Sequence, residues 1–162
     1  MAATVTILEL NGAGATTTDK TSGTVRFKKA DNSTVDLVNP LVKPSSGSDW
    51  SFQKFLQLNF AGTYTQATNL RAYMDGANGL GTGINLWGQA VASYATPAQE
   101  TANTGYADMF SYASGSSLSL GAGPFTGVGL KGNLLKMALE VQSTASGGLT
   151  PSETLTMAWD EI

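Results

Sequence analysis

The sequence contains no histidine and no cysteine. Without them the chain has no imidazole base, no Ser/His/Asp triad, no thiol nucleophile and none of the ligands that build most zinc sites. It has no disulfides either, so its stability must come from a core. Charge is equally scarce: charged residues make up 13% of the 162, with nine Lys+Arg against twelve Asp+Glu and a net charge of -3. Each neutralised phosphate normally needs a cation, so binding along a nucleic-acid backbone is disfavoured. No apolar run approaches the length that spans a membrane. The segment 1–10 lacks a basic n-region and reads as a strand rather than a signal peptide.

What the chain does have is 19 glycines, an apolar share of 41%, and many Ser, Thr and Asn residues. A chain of this length buries roughly 70% of its unfolded surface. Short apolar/polar alternations separated by turn residues predict an all-β protein, an antiparallel β-sandwich of jelly-roll or immunoglobulin-like type, with about eight strands and little helix. The whole of 1–162 reads as one domain, without repeats or linkers.

The alternations begin with Thr4–Leu10, closed by the turn Asn11-Gly12-Ala13-Gly14, after which 15–23 reads as a polar loop. Val25 and Phe27 against Arg26 and Lys28, then Val35 and Leu37 after Asp31-Asn32-Ser33, predict a hairpin over 24–38. Pro40, Pro44 and the run 45–48 mark an exposed excursion. Strands follow at Leu56/Leu58/Phe60, Leu70/Ala72/Met74 and Ile84/Leu86/Gly88. A helical turn is expected near Pro97, and short strand fragments at 110–112 and 118–120. The clearest stripes are Leu135/Met137/Leu139/Val141 and, after a Gly147-Gly148 turn, Leu155/Met157/Trp159. Each fully buried Leu, Met or Val in such a stripe contributes about 1.5 to 3 kcal/mol, which makes these two strands expected core partners.

Few residues suggest chemistry. Trp50, Trp87 and Trp159 invite a carbohydrate-binding reading, against which stands the ordinary role of a large ring in filling a core. Trp159 continues an apolar stripe, Trp87 faces away from Ile84 and Leu86, and Trp50 is expected to be exposed or in an interface. The loop from Asp75 through Asn78 to Gly83 has oxygen ligands but a single carboxylate, too few for calcium. Gly127, Gly129 and Gly132 spell GxGxxG, yet a strand pattern follows where a dinucleotide site requires a helix. No spacing singles out a pair of carboxylates for glycoside hydrolysis, and no GxSxG or GxxxxGK[ST] occurs. The cluster Arg26, Lys28, Lys29 reads as an edge-strand guard or a contact with an acidic partner. No catalytic residue, metal ligand or cofactor site is assigned.

The phrases Leu58-Asn59-Phe60-Ala61-Gly62-Thr63-Tyr64, Asn69-Leu70-Arg71, Asp75 through Gly83, and Thr154-Leu155-Thr156-Met157-Ala158-Trp159-Asp160-Glu161 resemble small β-sandwich proteins of tailed-phage virions. The resemblance implies a non-enzymatic structural role as a capsid decoration protein on the capsid exterior, or alternatively as a neck or tail component. It also implies assembly in the host cytoplasm into the virion, with the major capsid protein or other virion subunits as partners and a homo-oligomer or lattice-bound array as the working state. A carbohydrate-binding module is the alternative outside this class. Nucleic acid, membrane and cofactor are not expected. Candidate interface residues are Pro44, Trp50, Asp75, Asn78, Arg26, Lys28 and Ile162, from the excursion 40–50, the loop 76–83, the basic cluster and the termini.

Overall fold

The computed structural model describes residues 2–146 and 152–162. The expected Gly147-Gly148 turn and Met1 lie outside the described residues. The chain forms an all-β sandwich of two antiparallel sheets, one of seven strands and one of three. Its strands are β1 (Thr4–Asn11), β2 (Thr16–Asp19), β3 (Ser48–Trp50), β4 (Lys54–Ala61), β5 (Ala67–Tyr73), β6 (Ile84–Val91), β7 (Ala107–Asp108), β8 (Leu118–Gly121), β9 (Gly129–Gln142) and β10 (Thr156–Glu161). The larger sheet runs β2-β1-β4-β9-β6-β7, with β3 also paired to β9, and the smaller runs β10-β5-β8.

Strand β9 is the spine. Its first half pairs with β4, Glu140–Gln142 pair with β3, and Leu134–Val141 pair with β6 on the other side. Successive side chains of a strand point to opposite faces. Accordingly, Leu135, Met137, Leu139 and Val141 join Leu56, Leu58, Phe60, Ile84 and Leu86 in the main core, opposite Leu70, Ala72, Leu120 and Met157 of the small sheet. Trp159 packs against this core from a half-buried position, its ring edge-on to Phe60 at 5.6 Å between centroids. The other face of the large sheet carries a second cluster, Leu10, Phe55 and Leu134, closed by Tyr94.

The register of β4 on β9 shifts between Leu56 and Leu58, a bulge spanned by the Gln57 side-chain amide, which donates to the Gly132 carbonyl at 2.8 Å. Gly132 sits there at φ +70, and a Cβ on it would lie 2.7 Å from the Leu120 carbonyl oxygen. The glycines of the GxGxxG run therefore serve the entry of β9 and its bulge, where left-handed backbone and close approach favour glycine.

Four expectations are corrected. Residues 16–19 form an edge strand rather than loop: Thr18 pairs with Glu9, and its hydroxyl meets that of Ser33. The 24–38 hairpin does not form. Val25, Phe27 and Leu41 pack on the main core from an irregular segment instead. The short helical element lies at Met109–Ser111, as a 3-10 turn, and not near Pro97. Asp108 caps it by accepting the Phe110 N–H at 2.9 Å, which removes 110–112 from the strands.

Candidate functional site

Residues 20–47, between β2 and β3, have no regular secondary structure. Structureless loops longer than roughly 12 to 15 residues are uncommon in compact domains and usually carry function. Here the loop is fastened from beneath by buried charge. Glu9, fully buried, accepts from the Lys54 ammonium at 2.9 Å, and Lys54, also fully buried, donates to the Asn32 carbonyl at 2.7 Å. The second Glu9 oxygen faces Lys20 at 3.4 Å, and Lys20 also donates to the Ser33 carbonyl. Buried Lys28 donates to the Asn32 side chain and to the Thr34 carbonyl, with Asp36 at 3.9 Å. Burial lowers the pKa of the Lys28 ammonium, against the opposing pull of Asp36. Buried charges persist only when paired and hydrogen-bonded, so these lysines fix the loop's path.

The loop so held lifts a crest of aliphatic side chains into solvent. Leu37 is 88% exposed, Val38 86%, Val35 63% and Val42 51%, whereas Leu41 between them packs on the core. The crest is braced: Asp36 accepts from the Val38 and Asn39 N–H groups, Asp49 accepts the Val42 N–H at 2.9 Å, and Lys29 pairs with Asp49 at 2.7 Å. Single exposed aliphatics are ordinary, but four within one short braced segment make an apolar surface patch.

A second feature lies on the face of the large sheet away from the main core. There β3, β9 and β6 line up Trp50, Glu140 and Asn85 as neighbours across the strands, with Ser48 beside Gln142. Together with Trp87 and the segment Thr101-Ala102-Asn103 they line an open hollow of about 600 Å³. Glu140 is buried at its floor. One oxygen accepts from the Ser48 hydroxyl at 2.5 Å and Gln142 at 3.4 Å, the other from Asn85 at 3.0 Å and the Trp87 indole N–H at 2.9 Å. Burial works to raise the pKa of this carboxyl, but the donors outweigh it and hold the group below the ordinary glutamate value. Glu140 is thus ionised and saturated, and it is the only ionisable group among the residues lining the hollow. The arrangement offers fixed dipoles and ring surfaces and no acid–base pair.

Beside it, Glu100 accepts from Tyr106 at 2.7 Å and Gln53 at 2.9 Å, while Lys136 lies over the Tyr106 ring. Burial, and then the Glu100 contact, push the Tyr106 hydroxyl well above the ordinary tyrosine value. This network holds the 98–106 segment over β9 and so builds one wall of the hollow.

The residues singled out from sequence fall in separate places. Arg26 is exposed and Pro44 half-buried on the long loop, whereas Lys28 is buried, so the expected outward-facing basic cluster is corrected: Lys28 is spent on its own loop. Trp50, expected to be exposed or in an interface, is 8% exposed and so does not stand free in solvent; its carbonyl accepts from Gln99, and the segment beyond covers it. Asp75 and Asn78 are exposed, but their side chains fold their own turn by accepting the Ala77 and Leu80 N–H groups at 3.0 Å each. No cluster of acidic groups able to hold a metal occurs among the described residues. Ile162 is exposed beyond β10, where its backbone exchanges hydrogen bonds with Gln66. Sequence reasoning missed the crest at 37–38 and the amides Asn85, Asn103 and Gln142. The alternation of Asn85 and Trp87 against Ile84 and Leu86 was the available signal for the hollow. Compared with known protein families, curated proteins and solved structures, the chain matches none.

Proposed function

We propose that this protein is a non-enzymatic structural subunit of a tailed-phage virion, a decoration protein that binds the capsid exterior through residues 35–42, with the major capsid protein as its partner. A place in the neck or tail is the alternative within the same class. The observation that carries the reading is the crest: Leu37 and Val38 stand 88% and 86% exposed on a segment braced by Asp36, Asp49 and Lys29. A surface already held in shape loses little conformational entropy on docking. The resemblance of its sequence phrases to small virion sandwiches supports the same class. Sparse surface charge suits dense arrays, since neighbouring copies repel little, and multivalency on a lattice turns a modest contact into persistent attachment.

The test is co-sedimentation of the purified chain with phage capsids lacking it, comparing wild type with a Leu37→Asp/Val38→Asp double variant. Burying one such side chain contributes about 1.5 to 3 kcal/mol, so loss of two weakens each contact by roughly 3 to 6 kcal/mol. The double variant is expected to remain folded and stay in the supernatant. Equal sedimentation of both proteins, or of neither, would remove this reading.

A further inference from the structure

We propose that the hollow between β3, β9 and β6 is a binding site for an uncharged oligosaccharide, a function separate from attachment through the crest. A sugar presents hydroxyls that each donate and accept a hydrogen bond, together with C–H patches that seat on aromatic rings. The hollow supplies partners for both. Trp87 is half-buried, and its indole N–H is tied to Glu140 at 2.9 Å, so its ring is held in one plane rather than free to turn. Trp50, on the far side of β9, borders the same space but is only 8% exposed, so Trp87 is the ring on which a sugar seats. Around the hollow stand groups with unused capacity among the described residues: the Asn85 amide donates to Glu140 through its nitrogen while its oxygen meets no partner there, and the Asn103 amide and Thr101 hydroxyl on the rim make no side-chain hydrogen bond. An amide with free oxygen and nitrogen is matched to a hydroxyl pair, because it accepts from one and donates to the next.

Charge and size narrow the ligand. Glu140 is held ionised at the floor of a hollow lined by no cation, while the Asp49 and Glu100 of the adjoining hollow of about 290 Å³ are offset by Lys29 and Lys136, so phosphorylated, sulfated or sialylated ligands find no positive partner among the lining residues. Each Glu140 oxygen already accepts two hydrogen bonds, which leaves little for a cation. The lining is too polar for an apolar peptide anchor. The principal volume, about 600 Å³, falls within the roughly 300 to 1,000 Å³ of small-ligand sites. The two hollows adjoin at Ser48, Trp50 and Thr101, so the smaller one adds room beside the first for a second sugar.

The full chain is titrated with chitohexaose, cellohexaose, maltohexaose, xylohexaose and mannohexaose, with sialyllactose as the charged control, following tryptophan fluorescence and the indole N–H signals in NMR. At least one neutral hexasaccharide is expected to bind with Kd below about 1 mM and to shift the Trp87 indole signal. Asn103→Ala, on the exposed rim, is expected to weaken that binding about 3- to 10-fold, the range for one lost hydrogen bond, with the fold intact by circular dichroism. Trp87→Ala is expected to abolish it. No response to any of the neutral sugars, binding that Asn103→Ala and Trp87→Ala leave unchanged, or tighter binding of sialyllactose would each overturn the proposal.

Discussion

Replacing Lys54 by methionine breaks the fastening of the long loop at its most buried point. The Lys54 and Glu9 side chains are fully buried and 2.9 Å apart, and Lys54 also serves the Asn32 carbonyl. Methionine keeps most of the volume, so the loss is electrostatic: Glu9 loses its nearest cation while Lys20 stays at 3.4 Å, and the Asn32 carbonyl loses a donor. Removing one partner of a buried pair costs about 3 to 5 kcal/mol. Against a total stability of about 5 to 15 kcal/mol that is a large fraction, and urea unfolding followed by tryptophan fluorescence resolves it as a lower midpoint. The double variant Glu9→Leu/Lys54→Met removes the stranded charge along with its partner and is expected to recover to within about 1 to 2 kcal/mol of wild type, since a well-packed apolar replacement of a buried pair is often neutral. Lys20 keeps the Ser33 carbonyl in that background. Trypsin supplies an independent readout, because Arg26, Lys28 and Lys29 all lie in the loop and become more readily cleaved in Lys54→Met. A Lys54→Met cost below about 1 kcal/mol, or a double variant as unstable as the two single losses added, would refute the view that this pair pins the loop.

Further outcomes follow from the same structure. Gly132→Ala forces an L side chain to φ +70 and sets its Cβ 2.7 Å from a backbone oxygen. Thermal unfolding should show a loss of about 2 to 4 kcal/mol, the sum of left-handed strain and overpacking. Glu140→Gln tests the ionised floor of the hollow. Because the folded-state pKa is depressed, the carboxylate contributes stability that is fully present above the unfolded glutamate value and lost as pH falls through the folded one. The variant should therefore be less stable than wild type at neutral pH, with the difference shrinking on acidification below about pH 4.3; a difference constant across pH would contradict the assignment. Asp108→Ala removes the cap of the 3-10 turn and is expected to cost about 0.5 to 2 kcal/mol in urea unfolding.

The strands that read plainly from sequence are those whose alternation is enforced by burial on one face: Leu56/Leu58/Phe60, Ile84/Leu86 and the Leu135-to-Val141 stripe all enter the main core. The strand β2 was not legible, because Thr16, Thr17 and Thr18 carry no apolar signal and pair only because β1 offers an open edge. Residues 24–38 alternate like a hairpin, but Val25 and Phe27 satisfy that pattern by docking on the core while Lys28 engages its own loop. The ion cluster joins Glu9, Lys20 and Lys54 across long stretches of chain, and nothing local marks any of them as buried. Of the hollow, the tryptophans and the outward face of Glu140 could be read beforehand. Their convergence required the pairing of β3 and β6 onto β9, and the cover over Trp50 comes from an irregular segment without periodicity.

The central proposal is that the chain is a virion subunit and meets its particle through the crest. Cryo-electron microscopy of tailed-phage virions purified from cells that express the chain tests it most directly. The account predicts density for the sandwich on the capsid exterior with residues 35–42 seated against the major capsid protein; particles that lack the chain, or that carry it with Leu37 and Val38 facing solvent, would contradict it.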